Sequence, residues 1–150
     1  MNNVLCPGCK ILSADECQHL RDELSFYTLT RGDAFFIHQV LVDAYAAQHA
    51  NINTKPIATA FALIGLHLLL DCGYTGKEVQ LAHMRLAKRS KVWPSFIPPK
   101  GTGELTVKDV LAVKPGTERD AMIRTWAASV WAAWKKEHDT VAELTKKMDR

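Results

Sequence analysis

Apolar residues recur at helical spacing from position 14 onward. Ser13 and Glu16 form the Ser-x-x-Glu pattern that caps a helix at its N-terminus. The pattern predicts a first helix over 14–29 and, after a turn at 30–33, a second helix over 34–49. Four side chains share the inward face of the first helix: Cys17, Leu20, Leu24 and Tyr27.

The next stretch is apolar on nearly every side. It runs from Ile57 to Cys72, where Pro56 suits the first turn of a helix and Gly73 suits its C-terminal stop. A helix that is apolar all round belongs at the centre of a bundle. We therefore expect a third, central helix here.

A second capping pattern, Thr75 with Glu78, predicts a fourth helix that ends near position 91. Its inward face consists of Val79, Ala82, His83 and Leu86. Regular structure then breaks over 92–105, a segment with three prolines and two glycines.

The remaining third of the chain returns to helical spacing. Thr106 and Asp109 can cap a short helix, and a long final helix capped by Thr117 follows, running to about 147–148. Its inward stripe consists of Ile123, Trp126, Val130, Trp134, His138, Val141 and Leu144. The expected fold is an all-α bundle of about five main helices plus a short one, divided into a cysteine knuckle (1–12), a four-helix core (13–91), an irregular segment with the short helix (92–116) and the final helix (117–148).

Composition supports a single globular domain. The chain has 150 residues, of which 47% are hydrophobic and 23% charged, and this length suits one hydrophobic core. No apolar run could cross a bilayer, and the first residues lack the pattern of a signal peptide. We therefore expect a cytoplasmic protein that does not enter membranes.

The charge gives little reason to expect a polyanionic partner. Nineteen Lys and Arg against sixteen Asp and Glu leave a formal charge of +3. The basic residues that cluster at the end of the fourth helix have no aromatic residue between them, so we interpret them as a solvated helix end rather than a nucleic-acid site. They are Arg85, Lys88, Arg89 and Lys91.

The most specific chemical pattern is Cys-Pro-Gly-Cys at 6–9. Two thiolates separated by two residues in a tight turn can bind one tetrahedral zinc ion. A thioredoxin-like redox site would need a strand before the motif and a helix starting at it, which this position near the N-terminus does not offer. Zinc binding is the favoured interpretation, with redox chemistry or no special role as alternatives.

Helix geometry indicates the remaining ligands. If the first two helices form an antiparallel hairpin around the turn at 31–32, Cys17 lies level with 46–49, at the same end as the knuckle. His49 is then in reach, whereas the rival His19 points about 200° around the helix from Cys17. The alternative is that Cys17 is only a small buried apolar residue. The predicted ligands of a structural zinc ion are Cys6, Cys9, Cys17 and His49.

Several segments of the chain match those of a known family. The most specific are the knuckle and Val-Asp-Ala-Tyr-Ala-Ala-Gln-His at 42–49. The others are Gly-Leu-His-Leu at 65–68, Gly-Glu-Leu-Thr-Val-Lys-Asp-Val at 103–110 and Trp-Ala-Ala-Ser-Val-Trp-Ala-Ala-Trp at 126–134. Over nearly its whole length the chain resembles a bacterial family of uncharacterised helical proteins, domain of unknown function 5946, and the resemblance implies an all-α fold and no particular reaction. Lys10 departs from the family pattern, where a glycine is expected after the second cysteine.

The histidines suggest a second, catalytic hypothesis. If the second, third and fourth helices are antiparallel neighbours, His38, His67 and His83 fall in one layer of the bundle. Such a layer could hold a metal ion with an open position for an ionised water, as in a hydrolase or thiol-transferase, with Asp43 or His138 as orienting group or general base. The alternative is that each histidine is packed in the core with one hydrogen bond. Asp43 and Gln48 are expected to pair with neighbouring helices or the segment after Trp93, since buried polar groups need partners.

No nucleophile motif, phosphate-binding loop or dinucleotide fingerprint is present in the sequence. Trp126, Trp131 and Trp134 fit a core, although Trp131 and Trp134 point in different directions, which makes one of them a candidate for an interface. The favoured hypothesis is a binding or interaction module with a structural zinc ion, whose partner is another protein, a small molecule or a second copy of the chain. The alternative is a metal-dependent enzyme that uses the histidine layer.

Overall fold

The predicted capping residues mark where three of the helices begin. Ser13 Oγ accepts a hydrogen bond from the Glu16 backbone at 3.1 Å. Reciprocal capping boxes form between Thr75 and Glu78 and between Thr106 and Asp109. Each cap satisfies backbone N–H groups that have no partner inside the helix, and this fixes the first turn.

The computed structural model describes residues 4–89 and 92–146, and their secondary structure is helical apart from one isolated β-bridge between Leu5 and Ser13. This confirms the all-α class. None of these helices combines the length and apolar character needed to cross a membrane. The helices are α1 (Ala14–Thr30), α2 (His38–His49), α3 (Pro56–Leu70), α4 (Gly76–Ala87), α5 (Val107–Leu111), α6 (Thr117–Ala133) and α7 (His138–Thr145), with a 3-10 turn at Lys135–Glu137.

The second helix begins four residues later than predicted. Phe36 has a positive φ of 64°, which interrupts a helix. The Phe35 carbonyl accepts a hydrogen bond from the Lys77 backbone at 2.9 Å, and Asp33 Oδ2 accepts one from the Ile37 backbone at 2.8 Å. Segment 34–37 is therefore shaped by its contact with the start of α4, which periodicity alone does not reveal.

The single long final helix is also a wrong prediction. Helix α6 ends at Ala133, because the backbone of its C-cap Trp134 (φ −91°, ψ 20°) leaves the helical region, and α7 starts after the 3-10 turn. Thr117 is the first helical residue rather than the cap, which is Gly116 with a φ of 106°. The break lets α7 pack on α3. The predicted end at 147–148, like Lys91 of the basic cluster, lies outside the described residues.

The core lies around α2 and α3, which contact each other and α4 and α6. Contacts at both ends of the α1–α2 hairpin confirm that the two helices are antiparallel. Thr28 contacts His38 at one end, and Cys17 contacts His49 at the other. The three tryptophans of α6 and its C-terminus are all buried, so none of them exposes a surface of the kind that the sequence made a candidate for an interface. Each indole N–H has a partner, since Trp126 donates to Gln48, Trp131 to Asp71 and Trp134 to the Ala47 carbonyl.

Gln48 ties the irregular segment to the core. Its Nε2 donates to the carbonyls of Thr102 at 3.3 Å and Leu105 at 2.7 Å, and its Oε1 accepts from Trp126 Nε1 at 3.2 Å. The expected pairing of this buried amide with the segment after Trp93 is confirmed. The same network places segment 97–102 beside the end of α2.

Candidate metal centre

The knuckle is a short loop folded back on the start of α1. The Cys6 N–H donates to the Leu12 carbonyl and the Ala14 N–H donates to the Val4 carbonyl, each at 2.8 Å. The turn itself closes through a hydrogen bond of 2.9 Å from the Lys10 N–H to the Cys6 carbonyl. Lys10 has a φ of 61°, the left-handed conformation that favours glycine. The lysine thus accepts some backbone strain where the family pattern suggested glycine.

Gly8 brings the knuckle into direct contact with α2. A Cβ atom on Gly8 would overlap both the imidazole ring and the Cα of His49. The absence of a side chain therefore lets the loop lie against the last turn of α2. Thr102 Oγ1 donates to the Gly8 carbonyl at 3.4 Å and to the Gln48 carbonyl at 2.9 Å, which joins the loop, the helix and the irregular segment.

These contacts bring four potential metal ligands together. The Sγ atoms of Cys6, Cys9 and Cys17 and a ring nitrogen of His49 all lie within 4.8 Å of one another. Cys9 Sγ is 4.0 Å from Cys17 Sγ, which in turn is 3.2 Å from His49 Nε2. The three cysteines are at most 5% exposed. The four residues predicted from the sequence therefore form one buried Cys3His group that can bind a metal ion.

The His49 ring is held with Nε2 facing the sulfurs. Its Nδ1 donates to the Tyr45 carbonyl one turn earlier, at 2.8 Å. The Tyr45 ring stacks on the imidazole with centroids 3.8 Å apart, and its hydroxyl lies 3.4 Å from Cys17 Sγ. A carbonyl that accepts from one ring nitrogen leaves the other as a neutral donor atom for a metal. Sequence reasoning did not identify this role of Tyr45, although its spacing of four residues from His49 is the available signal.

The protonation of the group depends on whether a cation is present. Burial raises the pKa of Cys17 to about 12, a shift that the Tyr45 hydroxyl only partly offsets. Burial also raises the pKa of Cys6, but hydrogen bonds from the backbone of Cys9 and Gly8 outweigh it and leave that pKa lowered. Burial lowers the pKa of His49 and so favours its neutral form. A divalent cation would supply the positive charge that three buried thiolates need.

The rival ligand His19 is exposed on α1 and does not belong to the group. Within residues 4–89 and 92–146, the Cys3His group is the cluster with ligand atoms at metal-binding spacing. The other sequence candidates lie elsewhere.

The predicted histidine layer does not form. His38 Nδ1 contacts Thr28 Oγ1 at 2.8 Å between α1 and α2, and His67 Nδ1 contacts Asp71 Oδ2 at 2.9 Å at the end of α3. His83 Nε2 donates to the Phe61 carbonyl at 2.9 Å between α3 and α4. The three rings face different grooves because matching helix levels does not fix the direction in which each side chain points. The layer therefore supplies no shared catalytic metal site.

Asp43 and His83 lie close together inside the bundle. Asp43 is 4% exposed, and its Oδ1 lies 3.9 Å from His83 Nε2. Burial raises the pKa of Asp43 well above its usual value and lowers the pKa of His83. Gln39 Nε2 donates to both carboxyl oxygens at 3.2 Å, and a Cβ on Gly65 would overlap the carboxyl group. These contacts favour the interpretation of Asp43 and His83 as packed core residues with hydrogen-bond partners.

His138, the remaining candidate, packs against α6. Its ring stacks on Trp131 with centroids 3.7 Å apart, and its Nε2 donates to the Trp131 carbonyl at 2.7 Å. It therefore braces the junction between α6 and α7. Cys72, which was not among the predicted site residues, lies exposed at the end of α3 with its Sγ 3.6 Å from His67 Nε2.

Comparison with known proteins gives a family but no activity. A model of a family of unknown function, DUF5946, matches residues 4–135, a range that includes all four residues of the Cys3His group. No curated protein and no solved structure gives a significant match. The match covers most of the chain, and the chain therefore belongs to the family of unknown function DUF5946.

Proposed function

We propose that Cys6, Cys9, Cys17 and His49 hold one structural zinc ion and that the chain is a binding module built around it. The observation that carries the proposal is the convergence of three sulfurs and one imidazole nitrogen within 4.8 Å. Three thiolates and one imidazole are a donor set that suits tetrahedral zinc, whereas magnesium and calcium prefer oxygen ligands. A reducing compartment such as the cytoplasm would keep the thiols available for the metal.

The centre is built for structure rather than catalysis. Four protein ligands complete the tetrahedral coordination of a zinc ion, so no coordination position remains for water or a substrate. The ligands come from three segments, namely the knuckle, α1 and α2. A zinc ion would therefore cross-link the N-terminal segment to the α1–α2 hairpin.

A groove beside the centre supplies the contact surface of the module. It has a volume of about 360 Å³, and one wall is the knuckle itself, through Pro7, Gly8 and Lys10. The opposite wall is segment 97–100, and Lys10 Nζ donates to the Lys100 carbonyl across it at 2.8 Å. The metal thus determines the position of one side of the groove.

The lining of the groove indicates its partner. Ile52 and Ile97 line it and are 80% and 78% exposed. The charged side chains that line it are Lys10 and Lys100, both basic. The surface therefore suits a peptide segment of a partner protein that carries apolar residues flanked by acidic ones.

Metal analysis of the purified chain tests the centre. We expect one zinc ion per chain, and we expect Cys6→Ser/Cys9→Ser to lose it while a Cys72→Ser control keeps it. Cobalt substitution should give the spectrum of a tetrahedral thiolate site. A metal content that is unaffected by the double substitution would contradict the proposal.

Peptide selection tests the module. A displayed random-peptide library is selected on the zinc-loaded chain and counter-selected on Lys10→Glu/Lys100→Glu, with Lys77→Glu on α4 as a control outside the groove. We expect enrichment of acidic peptides with apolar residues that bind the control but not the double variant. Peptides that bind all three proteins equally, or no enrichment, would show that the groove does not bind such segments.

A further inference from the structure

A second group of reactive residues lies at the far end of α3 and is independent of the metal centre. Cys72 Sγ lies 3.6 Å from His67 Nε2, and His67 Nδ1 lies 2.9 Å from Asp71 Oδ2. The thiol is exposed, whereas the His67 side chain is only 13% exposed. A nucleophile, a base that contacts it and a carboxylate that orients the base are the parts of an activated thiol site.

The end of α3 fixes this arrangement locally. Gly73 adopts a φ of 71°, and the chain then turns back so that the Tyr74 N–H donates to the Leu68 carbonyl at 2.9 Å. This left-handed stop places Cys72 just beyond the last turn of the helix. His67 and Asp71, four residues apart, face each other on the same side of that turn.

A residue from another helix holds the carboxylate. Trp131 Nε1 on α6 donates to Asp71 Oδ2 at 3.1 Å, the same oxygen that contacts His67. The Trp131 ring is itself clamped by His138, which stacks on it. The orientation of Asp71 is therefore set by packing between α3 and α6 and not only by the flexible end of one helix.

The hydrogen bonds determine which nitrogen can act as a base. A carboxylate accepts a hydrogen bond from the N–H at Nδ1, so the neutral imidazole keeps its free electron pair on Nε2. That nitrogen faces Cys72 Sγ. His67 can therefore take the thiol proton, and Asp71 stabilises the imidazolium that results.

We propose that Cys72, His67 and Asp71 form a nucleophilic thiol site that reacts with hydroperoxides. His67 Nε2 takes the proton of the Cys72 thiol, and the thiolate attacks the hydroxyl oxygen of the peroxide. The S–O bond forms as the O–O bond breaks, and the leaving alkoxide or hydroxide receives the proton from His67. The sulfur is oxidised by two electrons to a sulfenic acid, and the peroxide is reduced to an alcohol or water.

Exposure and charge favour this class of substrate. A small peroxide needs no deep pocket and can reach an exposed sulfur directly. The Asp71 side chain, which is 46% exposed beside the thiol, repels anionic electrophiles but not an uncharged peroxide. The metal-binding cysteines are at most 5% exposed and so are shielded from the same reagent.

The test measures sulfenic acid formation at each cysteine of the full, zinc-loaded chain. The protein is treated with hydrogen peroxide at neutral pH in the presence of dimedone, which traps sulfenic acids, and labelled peptides are quantified by mass spectrometry. The variants are His67→Gln, Asp71→Asn and Cys72→Ser. His19→Gln, on exposed α1, is the matched histidine control.

We expect labelling at Cys72 that is at least about tenfold slower in His67→Gln than in the wild type, slower also in Asp71→Asn, and unchanged in His19→Gln. The rate of His67→Gln should rise with pH until it approaches that of the wild type, because hydroxide then replaces the missing base. Circular dichroism confirms that the helices are retained. Equal rates in the wild type and both site variants, or a wild-type rate no higher than that of an unstructured peptide with the sequence of residues 69–75, would overturn the proposal.

Discussion

The two ends of the α2–α3 pair use the same residue types in opposite ways. At the end of α2, His49 meets three buried sulfurs from two other segments of the chain, the knuckle and α1. At the end of α3, roughly 20 Å away along a 15-residue helix, His67 meets one exposed sulfur five residues further on. The backbone carbonyl of Tyr45 orients the first imidazole, and the carboxylate of Asp71 orients the second.

We infer from the comparison that burial and the number of sulfurs determine which chemistry each end can support. Three buried thiols are costly to ionise without a cation, so they suit a permanent metal ion. A single exposed thiol has no such cost, and a base at its side makes it reactive. The type of residue alone does not distinguish a metal ligand from a nucleophile.

The largest expected difference between the two ends is in stability. In zinc-loaded protein, Cys9→Ser should lower the free energy of unfolding by about 3 kcal/mol or more, because it removes a ligand of the buried centre. Cys72→Ser should change it by less than about 0.5 kcal/mol, because the side chain is exposed. Denaturant titration measures both, and equal losses would contradict the distinction between the two ends.

A smaller effect is expected at Gly8, where the knuckle touches α2. Gly8→Ala should weaken zinc binding by about 10- to 100-fold, since the added methyl group displaces the His49 ring. Gly101→Ala is the matched control, because a Cβ there meets no atom within 4 Å. Competition with a chromophoric chelator gives both affinities. The same affinity for the two variants would show that the knuckle does not need to lie against His49.

The smallest effect concerns the middle of the bundle, where His83 is buried beside Asp43. Because burial lowers the pKa of His83, the unfolded chain takes up a proton near pH 6.5, whereas the folded chain takes it up only at a lower pH. Stability from this group is therefore full above that pH and decreases as the pH falls. Between pH 6.5 and 5, the wild type should lose about 1 kcal/mol more than His83→Gln. Urea titrations at these pH values test the difference, and identical pH profiles would contradict it.

The sequence was sufficient for the features that depend on local patterns. Capping residues predicted the starts of α1, α4 and α5. Matching residues at the same height along the antiparallel α1–α2 hairpin, here called level-matching, predicted that His49 lies beside Cys17. Features that depend on packing were not predictable in the same way. No proline or glycine in the sequence indicates the helix break at Trp134. The start of α2 at His38 depends on contacts with α4.

The histidine layer failed for a related reason. Level-matching gives the height of a residue along the bundle but not the groove that its side chain enters, and His38, His67 and His83 enter three different grooves. The same argument worked for the metal group because the knuckle is short and immediately precedes α1. Cys72 is not apparent from the sequence because its partners lie within five residues of it, in a segment whose pattern indicates only the end of a helix.

Neighbouring residues at the end of α2 face different parts of the molecule. His49 faces the sulfurs, while Gln48, turned about 100° from it, holds the carbonyls of Thr102 and Leu105. A small rotation of the last turn of α2 would therefore displace the Cys3His group and the irregular segment together. Binding of a metal ion at the sulfurs would accordingly change the amide hydrogen-exchange protection of segment 97–102, which lies about ninety positions from Cys6 and Cys9 in the sequence. This effect requires no direct contact between that segment and the metal ion.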